Sequence, residues 1–159
     1  MRILLAIDDS KFSEAAIQAV RTRARLPGTE VRVVHVIEPP ALIIPSIVPG
    51  SELGLWSGPE LQSLWQAQRT RAESLLAKAA QALRIPGCEV TTGIEEGDPK
   101  SRIIDLAAAW HADLIVIGSH GRRGLDRFLL GSVSEAVARH SPCSVEIVRI
   151  PSGGRSLGA

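Results

Sequence analysis

The stretch Gly118-Ser-His-Gly121, followed after nine residues by Gly131-Ser132-Val133-Ser134-Glu135, has the residue types and spacing to do chemistry. Glycine has no Cβ, so its backbone can come close to a ligand. A helix opening at Gly131-Ser132 turns unpaired N–H groups outward, and such a terminus favours an anion, phosphate above all. Spacing alone leaves a second reading open. Ser132 and Glu135 satisfy the Ser-x-x-Glu capping box, in which the serine hydroxyl closes the helix end and competes with any ligand. Arg122, Arg123 and Arg127 lie between the glycines and could neutralise phosphate charge, or could simply face solvent. His120 is the histidine inside this loop; His35, His111 and His140 fall in no motif.

Asp8-Asp9-Ser10 follows the first apolar run. A carboxylate there could accept hydrogen bonds from sugar hydroxyls or an exocyclic amine, or it could cap the next helix. Other chemistries lack their residues. There is no Gly-x-x-x-x-Gly-Lys-Ser/Thr loop, no Gly-x-Gly-x-x-Gly turn and no Gly-x-Ser-x-Gly elbow. No His/Cys/Asp cluster has metal-ligand spacing, and no residue is placed as a catalytic nucleophile or base.

These loops need elements to hold them. Ile3 to Ile7, Val31 to Ile37, Cys88 to Ile94, Asp113 to Gly118 and Ser144 to Arg149 read as strands. Between them lie helical patterns. The first is capped by Asp9 or Ser10, carries Phe12, Ala15, Ala16, Ala19 and Val20 on its apolar face, ends with Arg21, Arg23 and Arg25, and stops at Pro27-Gly28. The second runs from about Glu60 to Arg84, with Leu61, Leu64, Trp65, Ala72, Leu75, Leu76, Ala79 and Leu83 on one face. The third starts at Asp98-Pro99, with the cap at Asp98, and the fourth opens near Ser132. Five strands alternating with four helices predict an α/β fold: a doubly wound parallel sheet with helices on both faces. Ligands then bind beyond the carboxyl ends of the strands. The segment Glu38 to Pro59 breaks the rhythm; it is Pro-rich and apolar, and reads as an ordered flap, a lid or a partner surface.

The chain has 159 residues, 45% of them apolar and 22% charged, with a formal net charge of +1. That size suits a single domain over residues 1–150, followed by a flexible Gly/Ser-rich tail at 151–159. The charge balance gives no basic face for nucleic acid. No apolar run reaches the length of a membrane helix, and the first residues do not form a signal peptide. Cys88 and Cys143 read as buried thiols of a cytoplasmic protein.

Together, Ile3 to Ser10, Gly97-Asp98-Pro99, Asp113 to Gly121, Leu130 to Ser134 and Val145 to Arg149 resemble the universal stress protein family, in its ATP-binding branch, over nearly the whole chain. The resemblance implies a Rossmann-like, adenine nucleotide alpha hydrolase-like domain that binds ATP with Mg2+ or Mn2+ on the phosphates. It implies that Asp8 holds the ribose or adenine, with Ala6 and Ile7 as the wall beside it. Val36 would offer backbone to the adenine edge, and Ile117 and Gly118 would line the ribose side. Gly121, Gly131, Ser132 and Val133 would cradle the phosphates. It also implies a homodimer through the last strand, Val145 to Arg149, and an unidentified protein partner in stress response or signalling. Ser144 and Glu146 depart from the family's usual apolar final strand. A two-fold axis at Glu146 would set like charges opposite each other, so the axis is expected near Ile147 or Val145. A phospho-acceptor receiver domain remains an alternative because of the acid pair Asp8-Asp9, and a slow ATP hydrolase is a third reading.

Overall fold

The computed structural model describes residues 1–24, 26–39, 58–121 and 130–150. Arg25, Arg122, Arg123 and Arg127, residues 40–57 of the Pro-rich segment, and the 151–159 tail lie outside the described residues.

The five strands are β1 (Arg2–Ala6), β2 (Thr29–Ile37), β3 (Cys88–Glu96), β4 (Leu114–Gly118) and β5 (Ser144–Val148). The helices are α1 (Lys11–Arg23), α2 (Gly58–Ala82), α3 (Pro99–Ala109) and α4 (Ser132–His140). The strands form one all-parallel sheet in the order β3-β2-β1-β4-β5. This order decides between folds that share an element sequence. A receiver domain runs 2-1-3-4-5, whereas 3-2-1-4-5 is the doubly wound order with its switch point between β1 and β4.

The central strands are apolar on both faces because both are covered. Ile3, Leu5, Val31, Val33 and Val116 pack against α1 and α2 through Ala16, Val20, Leu76, Ala79 and Leu83. Leu4, Ala6, Val34, Ile115 and Ile117 pack against α3 and α4 through Ile103, Ala107 and Val137. Cys88 joins the first cluster and Cys143 the second, so the sheet separates them. Both are half-buried free thiols, less enclosed than expected, because each lies at a strand start on the outer part of the sheet. Partial burial raises the pKa of Cys88.

The helix ends follow local chemistry. Ser10 caps α1 by accepting from the Ser13 N–H at 3.3 Å. Asp98 caps α3, accepting from the Ser101 N–H at 3.1 Å and its hydroxyl at 2.9 Å, with Pro99 in the first turn. These bonds, the hydroxyl's first, hold the Asp98 carboxyl below its ordinary pKa.

Two expectations change. The capping box at Ser132 does not form: Gly131 is the N-cap, Ser132 is the first helical residue, and no side chain closes the end. The expected apolar face of α2 is buried only from Ala72 onward, and Leu64 is 36% exposed. The physical reason is length. A 25-residue helix spans about 37 Å at 1.5 Å per residue, and nine-residue strands span about 30 Å, so α2 outruns the sheet.

Candidate functional site

A cavity of about 580 Å³ opens beyond the carboxyl ends of β1, β2 and β4, at the switch point. All ten residues singled out from the sequence line it: Ala6, Ile7, Asp8, Val36, Ile117, Gly118, Gly121, Gly131, Ser132 and Val133. They come from three strand ends and one helix start, and only the fold brings them together.

The β1 side is built around Asp8. Its Oδ1 accepts from the Ser10 N–H at 3.1 Å and from the Ser13 hydroxyl at 2.7 Å. The Asp8 N–H in turn donates to Ser13 Oγ at 2.8 Å. This explains why Ser13, only 4% exposed, stands within the buried stripe of α1. The carboxylate therefore arrives at the cavity already oriented. Its Oδ2 lies 2.9 Å from where a Cβ on Gly121 would stand, so the glycine leaves room across the cavity from β1 to the loop after β4.

The β2 side supplies backbone. The β1–β2 pairing ends at Ala6↔Val34, and the Ile7 N–H still donates to the Val34 carbonyl at 2.9 Å. Val36 faces the same neighbour as Val34 in the strand alternation, so its N–H and C=O project past the end of the paired ladder. His35 Nδ1 donates to the Ile7 carbonyl at 2.8 Å, which ties β1 and β2 together at the rim.

The glycine loop is closed at its neck. The Gly131 N–H donates to the Ser119 carbonyl at 2.8 Å, and the Ser134 hydroxyl donates to the same oxygen at 3.0 Å. The Ser119 N–H is tied to the Val148 carbonyl at 2.8 Å. A Cβ on Gly131 would stand 3.2 Å from Ser119 O and 3.3 Å from His120 Cα, so the two glycine ends meet because neither has a side chain in the way. The first helical bond of α4 runs from the Glu135 N–H to the Gly131 carbonyl at 2.9 Å. The N–H groups of Ser132, Val133 and Ser134 therefore precede the ladder, and the positive end of the helix dipole faces the cavity. No side-chain hydrogen bond caps that end; the Ser134 hydroxyl there is turned to the Ser119 and Gly131 carbonyls.

Gly118 has a different reason to be glycine. A Cβ there would lie 2.8 Å from Phe12 Cβ and 2.9 Å from the Phe12 carbonyl carbon, so it permits α1 to pack on β4.

Ser13, Val34, His35, Pro99 and Ile103 also line the cavity and were not singled out as site residues from the sequence. Pro99 and Ile103 come from the start of α3, whose approach to β2 depends on long-range packing. A polar histidine within an apolar strand was the one available signal for His35.

The universal stress protein family matches residues 1–149. The universal stress protein MJ0531 of Methanocaldococcus jannaschii is 32% identical over 151 residues, covering 94% of this chain and 82% of its own. The solved structure of the hypothetical protein MJ0577 superposes with a TM-score of 0.80 at 26% identity, over 96% of this chain and 97% of that one. A universal stress protein family protein from Arabidopsis thaliana, solved with AMP bound, shares the fold at 19% identity and a TM-score of 0.64, over 94% of this chain and 91% of its own.

Proposed function

Since the chain belongs to the universal stress protein family, we propose that it is an ATP-binding member whose nucleotide occupancy sets the conformation offered to a protein partner. One observation carries the reading. The uncapped start of α4, with three N–H groups ahead of its first helical bond, opens into the same cavity as the oriented Asp8 carboxylate and the Val36 backbone. Phosphate suits the first, a ribose diol the second and a purine edge the third. A volume near 580 Å³ lies within the range of small-ligand sites. The Arabidopsis relative holds an adenine nucleotide on the same fold.

In this reading Ala6 and Ile7 form the wall beside Asp8, and Ile117 with Gly118 forms the sugar side. Gly121, Gly131, Ser132 and Val133 surround the phosphates. Among the described residues no three His, Cys, Asp or Glu side chains gather as a metal cage. A Mg2+ or Mn2+ ion would thus be held chiefly by the phosphates and water, as Mg2+ commonly is. Among the described residues no helix is long and apolar enough to cross a membrane.

Ser132→Asp tests the phosphate position. An acidic residue in the first turn favours the helix dipole, so the melting temperature should hold or rise. The same charge repels phosphate, and ATP affinity by calorimetry should fall at least about thirtyfold, roughly 2 kcal/mol. ATP bound as tightly as by wild type would place the phosphates elsewhere. Turnover should stay well below the ordinary enzyme rate of about 1 s⁻¹. Faster hydrolysis would favour the hydrolase reading.

The same reading includes a homodimer through β5, which is an edge strand. Val145 and Ile147 pack towards α3 and α4, while Glu146 faces α1 and pairs with Arg23, Nε to Oε2 at 2.6 Å. A two-fold axis at Glu146 would place two such ion pairs together, whereas one near Ile147 or Val145 centres an aliphatic residue. Light scattering at micromolar concentration should give twice the chain mass. In a background free of Cys88 and Cys143, single cysteines at 145 or 147 should cross-link to themselves faster than one at 146. A monomer, or fastest linkage at 146, would contradict this arrangement.

A further inference from the structure

We propose that Ile103, with Pro99 beside it, sets how large a base this site admits; this rests on the nucleotide reading above. The two residues form a wall at the start of α3 that stops the purine edge farthest from the sugar. Both line the cavity. They stand four apart on α3, so they share one face of the helix. Ile103 is buried in one cluster with Ala6, Val34 and Ile117, and those three line the cavity as well. Inside a helix the backbone groups are tied into the ladder, so Ile103 meets that cluster with its branched side chain.

The lining divides by chemistry. Asp8, Ser13 and the turn from Gly131 to Ser134 make one end polar, whereas Val34, Val36, Pro99 and Ile103 make the other aliphatic. The division follows the sheet. β2 lies across β1 from β4, and β4 leads into the loop and helix of the polar end. A nucleotide with its phosphates at α4 and its sugar at Asp8 therefore carries its base towards β2 and α3. The edge that leads is the one opposite the sugar, which in adenine bears the exocyclic amine.

The wall is held from three directions. Asp98 caps α3, and Pro99 fixes its first turn. The Gly97 N–H donates to the Ile37 carbonyl at 3.0 Å, which ties the turn before α3 to the end of β2. Arg102, next to Ile103, pairs with Glu95 of β3 at 2.5 Å. A helix start tied to two strands does not retreat from a larger ligand, and close-packed walls discriminate by size.

ATP benzylated on its exocyclic amine reads the wall directly. By calorimetry the wild type should bind this analogue at least about thirtyfold more weakly than ATP. Ile103→Ala opens space at the wall and should narrow that preference at least about tenfold. Ile103→Val, one methyl smaller, should fall between. The ratio compares two ligands on one protein, so a smaller folded fraction in a variant cancels from it. A preference unchanged in Ile103→Ala, or a wild type that binds the two ligands equally, would overturn the proposal. A wild-type measurement does not depend on the variants. Methyl NMR should show the Ile103 Cδ1 resonance displaced by the ring current of ATP and left in place by inorganic tripolyphosphate. No displacement with ATP, or equal displacement with tripolyphosphate, would also overturn it. Failure of the wild type to take up ATP would remove the nucleotide reading itself, whereas ATP bound with the Ile103 methyl unmoved removes only this wall.

Discussion

Gly118→Ala is expected to destabilise the protein by about 2 to 3 kcal/mol, the upper part of the range for overpacking a tight site. The new methyl group would stand 2.8 Å from Phe12 Cβ, 2.9 Å from the Phe12 carbonyl carbon and 3.1 Å from the Phe12 oxygen. Two of those three atoms are backbone of α1, so rotating a side chain does not relieve the contact. Either α1 lifts from β4 or the strand end shifts, and both disturb packing around Val116 and Val20. For a chain of this size the loss amounts to a melting temperature lower by about 4 to 12 °C. Urea unfolding should show a lower midpoint with an unchanged slope. An unchanged midpoint with lost nucleotide affinity would mean that Gly118 is glycine for the ligand, and that the α1 contact adapts at little cost.

Asp8→Ala should produce the largest binding effect, about a hundredfold weaker ATP affinity by calorimetry. The carboxylate is the acceptor assigned to the ribose, and two bonds to a charged acceptor account for a loss of that size. The same change removes the acceptor of the Ser13 hydroxyl and of the Ser10 N–H, so stability should fall as well, by about 1 to 2 kcal/mol. Ser13→Ala separates the two effects. It frees the carboxylate from one of its anchors but keeps its charge, so affinity should fall only about threefold to tenfold while stability falls by a similar amount. Asp8→Ala binding ATP within about threefold of wild type would move the sugar away from Asp8.

Much of this protein was legible in the sequence, and for local reasons. The strands β1 and β4 are short apolar runs of the kind that must be covered on both faces, and the structure covers them. The start of α3 was readable at Asp98-Pro99, because a cap and a first-turn proline act within four residues. The glycines at 118, 121 and 131 marked the loop after β4, since a missing Cβ is written in the residue type itself. Tertiary structure decided what depends on distant partners. The order β3-β2-β1-β4-β5 is a matter of which strands pair, and the acid pair Asp8-Asp9 was compatible with a receiver order until that pairing was known. Instead, Asp8 is held by Ser13 and Asp9 pairs with Arg71 of α2. Ser132 matched a capping box by spacing, yet the Gly131 N–H is drawn to Ser119 and the helix begins one residue earlier than a Ser132 cap requires. Gly118 and Gly121 look alike in the sequence; one faces the backbone of α1 and the other the carboxylate of Asp8. A glycine announces that something comes close, and only the packing around it says whether that is a helix or a ligand's side of the cavity.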